Sequence, residues 1–179
     1  MQFTEPFPHS IGENAFPEDL YKRMLKNLPD WDDMLPGPGP DFERRRHLKQ
    51  GMGGPVWEEV WKYLENKYPG EKLQMGLYKT LPGFYLLPHT DKNIKNETTV
   101  YYITDKINSE GGTALFKSIF DLSDPYCQSW PFEYFETPKI VPCIPNGWMT
   151  FEVSDHSFHG VLPQTNERWI IYLTRYHAT

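Results

Sequence analysis

Two histidines, one aspartate and one arginine stand out by their order and spacing. His89 and Asp91 are two residues apart in Pro88-His89-Thr90-Asp91. On an extended strand, positions i and i+2 face the same side, so an imidazole and a carboxylate can converge on one point. His159 follows downstream, and Arg168 lies nine residues after it. Two histidines and one carboxylate make a ligand face on a metal that leaves open coordination positions, a set diagnostic of non-haem Fe(II) oxygenases. Zinc could use the same three ligands with a water in the fourth position. Arg168 can point inward behind the metal. A buried guanidinium needs an anion, and a carboxylate held end-on by two nitrogens is its natural partner.

Taken alone, each histidine reads more readily as a structural residue than as a ligand. The ordered set with Asp91 and Arg168 is what reads as a site. His156 is a rival third ligand, but it stands twelve residues before Arg168 and lacks the Gly160-Val161 that follows His159. Arg175 reads as an outward-facing strand residue rather than a second clamp.

Short strands must position these groups. Residues 1–14 are extended and polar. Pro17-Glu18-Asp19 opens a helix with Leu20, Met24 and Leu28 as its apolar stripe, ending before Pro29. Residues 30–55 read as an irregular loop, either a lid or a surface connector, because Pro36-Gly37-Pro38-Gly39-Pro40 suits neither helix nor sheet. A second helix runs from Pro55 to about Lys67 with Val56, Val60, Trp61 and Leu64 facing a sheet. From Lys72 the pattern changes to strands: 72–79, 84–89, 98–104, 113–116, 139–143, 148–153, 157–161 and 168–176. Glu110-Gly111-Gly112 and Pro145-Asn146-Gly147 read as turns. Residues 117–137 form an insertion whose aromatic run, Trp130 to Phe135, packs beneath it or walls a substrate. In the last strand Ile170, Tyr172 and Thr174 share one face, and Trp169, Ile171 and Leu173 the other. Two helices before about eight short strands imply an α+β, mainly β chain closing into a sandwich or barrel.

The 179 residues suit one domain. We expect residues 1–71 to be helical support and loop, and residues 72–176 the β-barrel core. The formal net charge is -6, the wrong sign for a broad nucleic-acid-binding surface. Arg44-Arg45-Arg46-His47, the one basic cluster, reads as a solvated loop or helix edge; contact with an anionic substrate is the other reading. Cys127 and Cys143 are not spaced as a metal-binding pair and read as ordinary thiols, although one disulfide is possible. The first residues lack a signal-peptide pattern, and no apolar run is long enough to cross a membrane. The expected location is the cytoplasm.

The ordered series resembles the Fe(II)- and 2-oxoglutarate-dependent oxygenases, in particular their prolyl-hydroxylase-like branch. The resemblance covers roughly residues 72–176. It rests on Tyr78 and Gly83 ahead of His89-Thr90-Asp91, Thr99-Val100-Tyr101-Tyr102, and Glu110-Gly111-Gly112-Thr113-Ala114-Leu115-Phe116. Pro145-Asn146-Gly147 before Phe151, then His159-Gly160-Val161 and Arg168, complete it. It implies a double-stranded β-helix, a jelly-roll or cupin-like barrel, with N-terminal supporting helices. It also implies that His89, Asp91 and His159 bind Fe(II), and that Arg168 pairs with the distal carboxylate of 2-oxoglutarate. Tyr101 would hydrogen-bond the same carboxylate, and Tyr78 sits where another pocket tyrosine lies. The implied reaction couples O2-driven decarboxylation of 2-oxoglutarate, giving succinate and CO2, to hydroxylation of an unactivated C–H bond. Family members that halogenate lack the carboxylate, so Asp91 favours hydroxylation.

The resemblance leaves the prime substrate open among a peptidyl proline, an amino acid and a small metabolite. The loops expected to choose it are 30–55, 92–97 and 117–137. A jelly-roll module that binds metal without turnover, or a cupin-type metalloenzyme using no 2-oxoglutarate, remains an alternative; neither needs Arg168.

Overall fold

Proline in the first turn, acids behind it and bases at the far end set both helices, the arrangement that the helix dipole favours. α1 (Glu18–Lys26) follows Pro17, carries Glu18 and Asp19 at its start and Arg23 and Lys26 at its end. α2 (Pro55–Lys67) begins on Pro55, after Gly54 at φ +77°. The computed structural model describes residues 1–37, 42–49, 51–91, 95–124 and 126–176. Pro38 to Pro40 of the expected loop, and residues 92–94, lie outside the described residues. None of the described helices is long and apolar enough to cross a membrane.

The strands are β1 (Gln2–Phe3), β2 (His9–Gly12), β3 (Leu35–Pro36), β4 (Arg45–Lys49), β5 (Lys72–Thr80) and β6 (Leu86–His89). They continue as β7 (Lys95–Tyr102), β8 (Asn108–Leu115), β9 (Lys139–Cys143), β10 (Trp148–Glu152), β11 (His159–Val161) and β12 (Arg168–Tyr176). One sheet runs β1-β2-β10-β7-β12-β5-β4-β3 and the other β6-β11-β8-β9. Within the first, β10-β7-β12-β5 faces the second as a double-stranded β-helix, with the chain passing repeatedly from sheet to sheet. Mainly β architecture with two supporting helices is therefore what the chain adopts.

Alternation along the strands divides the buried residues into two cores. On the outer face of the larger sheet, Leu77, Tyr101, Ile171 and Leu173 pack against Leu20, Met24, Trp57, Val60, Trp61 and Leu64 of the helices. Between the sheets lie Val100, Tyr102, Leu115, Val141, Met149, Phe151 and Ile170. A third cluster sits under residues 117–137, where Phe132 and Phe135 meet Phe116 and Phe158. The aromatic run of the insertion is thus packing, one of its two expected roles.

Three expectations are corrected. The N-terminal stretch is not simply polar and extended, because β1 and β2 extend the larger sheet and bury Phe7 and His9. The loop at 30–55 contains β3 and β4; Arg45 to His47 of the basic cluster lie in a strand paired along β5 rather than on a solvated edge, while Arg44 just before it is exposed. Glu110-Gly111-Gly112 is no turn: it lies inside β8, where the register against β9 shifts between Asn108 and Thr113. Gly112 is required there by close approach, since a Cβ would sit 1.7 Å from the Val141 carbonyl oxygen. Asn146 does form the expected turn, at φ +54°.

Candidate active site

β6 and β11 pair so that His89 and His159 are direct cross-strand partners, their rings 4.5 Å apart. Asp91 lies two residues beyond His89 and is buried. The ligand atoms of His89, Asp91 and His159 all lie within 4.8 Å of one another, and His159 Nε2 is 3.9 Å from Asp91 Oδ2. His89 Nδ1 is 2.9 Å from the Leu87 carbonyl oxygen, and His159 Nδ1 is 3.0 Å from that of Ser157. A carbonyl only accepts, so each Nδ1 carries the proton and each Nε2 keeps its lone pair for a metal.

The carboxylate is held from the opposite sheet. The Thr98 and Tyr172 hydroxyls both donate to Asp91 Oδ2, at 2.5 and 2.6 Å. Burial, then the Asp91 charge, holds the Tyr172 phenol well above its ordinary pKa, so it stays a donor. The intervening Thr90 points the other way and donates to the Asp124 carbonyl at 2.7 Å. The Trp130 amide donates to the Pro88 carbonyl at 2.8 Å. The insertion is thereby fastened to the segment that carries His89 and Asp91.

Arg168 begins β12 and is 5% exposed. Its Nη1 donates to the Gly112 carbonyl at 3.0 Å and to that of Gly111 at 3.3 Å. Its Nε is buried without a hydrogen-bond partner among the described residues, and no described carboxylate pairs with it. Desolvation pulls its pKa below the ordinary arginine value, with Tyr102 and Cys143 opposing and Arg45 adding to the shift. An arginine nonetheless stays charged in a protein, so this is a desolvated cation suited to an anion.

A cavity of about 380 Å³ is lined by His89, Asp91 and His159 together with Arg168, Tyr78 and Arg45. A larger pocket of about 720 Å³, along residues 103–110 and 166–169, shares Arg168 but holds none of the three clustered residues. Size alone therefore does not mark the site. Tyr78 is on the inward face of β5, its ring edge-on to that of Tyr172 with centroids 6.3 Å apart.

Tyr101 does not join them. Its ring packs on Phe16, its hydroxyl is 3.0 Å from that of Tyr68, and Lys67 lies over it, all on the helix side. Strand parity is the reason: Val100 and Tyr102 point between the sheets, so the residue between them points out. Tyr102 is the tyrosine near Arg168. Its hydroxyl donates to Thr113 Oγ1 at 3.0 Å, and burial pushes its pKa up to about 12. His156 is exposed, with Nδ1 2.8 Å from the Leu122 carbonyl, and is outside the cluster. Arg175 pairs with Glu71 at 3.0 Å and Glu97 at 2.6 Å, away from the cavity. Neither cysteine is paired in a disulfide among the described residues.

Sequence reasoning misses three residues of this site and a fourth beside Arg168. Thr98 and Tyr172 lie on the inward faces of recognisable strands, and that parity is the available signal. Tyr102 is one residue from the tyrosine that the resemblance selects. Arg45 gives no local signal, because only its pairing with distant β5 turns it inward.

No family model matches the sequence, and no curated protein matches it. Solved structures do match in fold. A prolyl-4-hydroxylase from Pseudomonas putida superposes with a TM-score of 0.64 at 14% identity, over 96% of this chain and 93% of that one. A prolyl hydroxylase from Trichoplax adhaerens, in complex with a hypoxia-inducible-factor peptide fragment, gives 0.64 at 16% identity, over 94% and 83%. HygX from Streptomyces hygroscopicus, with nickel, 2-oxoglutarate and hygromycin B bound, gives 0.63 at 12% identity, over 94% and 82%. At these identities the likeness is one of fold: the chain has the double-stranded β-helix of the 2-oxoglutarate oxygenases.

Proposed function

We propose that this chain is an Fe(II)- and 2-oxoglutarate-dependent dioxygenase. It would hydroxylate an unactivated C–H bond in a peptidyl proline, an amino acid or a small metabolite. One observation carries the reading: a single cavity holds a His-Asp-His cluster and a buried guanidinium with no described carboxylate partner. A binding module, or a metalloenzyme using no keto acid, gives no reason for that guanidinium. HygX, similar in fold, holds nickel and 2-oxoglutarate, which supports the same pairing here.

The residues fit the ion. Two imidazole Nε2 atoms and a carboxylate, with no thiolate among the clustered residues, suit iron(II). Bound there with 2-oxoglutarate, iron(II) would supply O2 activation, with succinate and CO2 as co-products. His89, Asp91 and His159 would hold it. Thr98 and Tyr172 fix the Asp91 carboxylate by gripping one of its oxygens. Arg168 would receive the distal carboxylate of 2-oxoglutarate; the Gly111 and Gly112 carbonyls fix its guanidinium in place beforehand. Leu86, Val161 and Ile170 give the cavity an apolar wall, and a low-dielectric wall strengthens the charge interactions beside it.

Residues 72–176 carry the metal and co-substrate positions in this reading, with residues 1–71 as support. Two cysteines with no disulfide among the described residues suit a reducing compartment, and the cytoplasm is the proposed location. Calorimetric titration of Mn(II)-loaded protein with 2-oxoglutarate tests the reading without turnover. The expected result is one binding event, lost in Arg168→Ala while metal affinity is kept. Equal affinity in Arg168→Ala would contradict it.

A further inference from the structure

The cavity of the His-Asp-His cluster continues along β5 into a second chamber. That chamber, of about 570 Å³, shares Gln74, Gly76 and Tyr78 with the cavity and adds Pro36, His47 and Lys49. Strand parity explains which side chains reach it. Leu48 packs on the helix side of the larger sheet, so its neighbours His47 and Lys49 point the other way, towards the cavity. No acidic side chain lines the chamber among the described residues, in a chain whose formal net charge is -6. Lys49 is exposed and makes no ion pair among the described residues.

Register joins the two chambers. Gly76 is the partner of Tyr172 on one side of β5 and of Lys49 on the other. Tyr172 grips Asp91, so one straight row leads from the clustered residues to Lys49, and the residue between has no side chain. A Cβ at Gly76 would lie 3.1 Å from Tyr78 Cε2, so the glycine keeps the floor of this row low. In the next row Tyr78 pairs with His47, and their rings stack with centroids 5.7 Å apart and planes at 21°. The stacked pair walls the trough on one side. Neighbouring strands are about 4.8 Å apart, so the Lys49 backbone stands about 10 Å from that of Tyr172 across the glycine. β4 lies towards one end of the larger sheet, and β6 is an edge of the smaller one, so the trough runs to the side where the two sheets are not joined by pairing.

We propose that this trough is a second subsite for the prime substrate, and that it takes an elongated substrate whose anionic group reaches Lys49, about 10 Å from the carbon that is oxidised. The inference rests on the functional reading above, with the metal at the His-Asp-His cluster and the distal carboxylate of 2-oxoglutarate at Arg168. Those two places account for both ends of the co-substrate, which therefore has no use for the row over Gly76. An extended peptide advances about 3.3 Å per residue, so on a peptide the anion is an acidic side chain about three residues from the oxidised one. On a linear carboxylic acid it is the far carboxylate. A free amino acid carries its carboxylate too close to its other carbons to span the row. The flat His47–Tyr78 wall suits the body of such a chain, and the cation at the end of the trough suits its charge.

The test uses Mn(II)-loaded protein saturated with 2-oxoglutarate, with binding read by calorimetry. The probes are capped octapeptides with one glutamate, each proteinogenic residue in turn standing three positions to either side of it, and long-chain dicarboxylic acids. Each is measured beside its neutral counterpart, with glutamine for glutamate or one carboxylate made an amide. The expected result is saturable binding of at least one acidic probe, about fivefold or more tighter than its counterpart. That preference should vanish in Lys49→Ala and turn against the acid in Lys49→Glu, with 2-oxoglutarate affinity unchanged in both. Gly76→Val, which fills the row, should weaken acidic and neutral probes alike. Binding of a peptide or of a dicarboxylate says which kind of molecule supplies the anion. The inference is overturned if no acidic probe binds, if acidic and neutral probes bind alike, if Lys49→Ala keeps the preference, or if free glutamate binds as tightly as the longer probes. Lys49 is exposed, so its variants should fold. If 2-oxoglutarate fails to bind the parent protein, the functional reading fails first; if it binds and the probes do not, the inference alone fails.

Discussion

β12 carries Trp169, Ile171 and Leu173 to one side and Arg168, Ile170, Tyr172 and Thr174 to the other. The apolar trio meets the helices and closes a core. The opposite set lines the cavity and offers a guanidinium and two hydroxyls. The same division runs along β7, where Tyr101 is sealed under α2 while Thr98, Val100 and Tyr102 face inward. Both faces are buried, but for different ends: one face holds the sheet in place, and the other holds ionisable groups at set positions. The difference teaches that a one-residue change of parity on these strands exchanges scaffold for chemistry.

Substitutions on the two faces should separate accordingly. The largest effect is expected from His159→Ala, which removes one of the three proposed ligands on the inward side. Metal affinity should fall by more than about 100-fold, beyond what loss of a supporting hydrogen bond costs, in a competition assay with a chromogenic chelator. Leu173→Ala, on the helix side, should cost about 2–5 kcal/mol of stability in denaturant unfolding, with the metal affinity of the folded protein unchanged. If Leu173→Ala weakened metal binding as much as His159→Ala, the two faces would not be separable.

Tyr172→Phe comes next. It removes one of the two hydroxyls on Asp91 Oδ2 and keeps the ring. Metal affinity should drop by about 10- to 100-fold, with little change in melting temperature. The smallest effects belong to the neighbouring tyrosines and sharpen the comparison most finely. Tyr101→Phe should cost about 1 kcal/mol of stability through its bond to Tyr68 and leave 2-oxoglutarate affinity alone. Tyr102→Phe, which alters the surroundings of Arg168, should weaken 2-oxoglutarate binding by about fivefold. The opposite pattern would favour Tyr101 as the co-substrate tyrosine.

Residue type and order make much of the candidate site legible. His89, Asp91, His159 and Arg168 can be singled out because imidazole, carboxylate and guanidinium are costly to bury without a purpose. In β12 the two faces can be told apart because Arg168 opens the strand on the inward side. β7 offers no such marker. Thr98 to Tyr102 are β-branched or aromatic throughout and buried on both faces, so no polar–apolar alternation fixes their parity. That is why the sequence points to Tyr101 although Tyr102 is the tyrosine that faces between the sheets. Three consecutive arginines read as solvated for a similar reason: only pairing along β5 turns Arg45 inward and leaves Arg44 exposed. The glycines at 111 and 112 signal a turn locally, whereas contact with β9 puts them in a strand. Long-range pairing, which no local window contains, decides each case.

If the functional reading holds, one cavity binds Fe(II) and 2-oxoglutarate together. The most direct test is anaerobic titration of Fe(II)-loaded protein with 2-oxoglutarate, watching for the visible charge-transfer band of the chelated keto acid. A saturable band is expected, and His89→Ala and Arg168→Ala should each remove it. A folded, iron-bound protein that shows no band would contradict the claim.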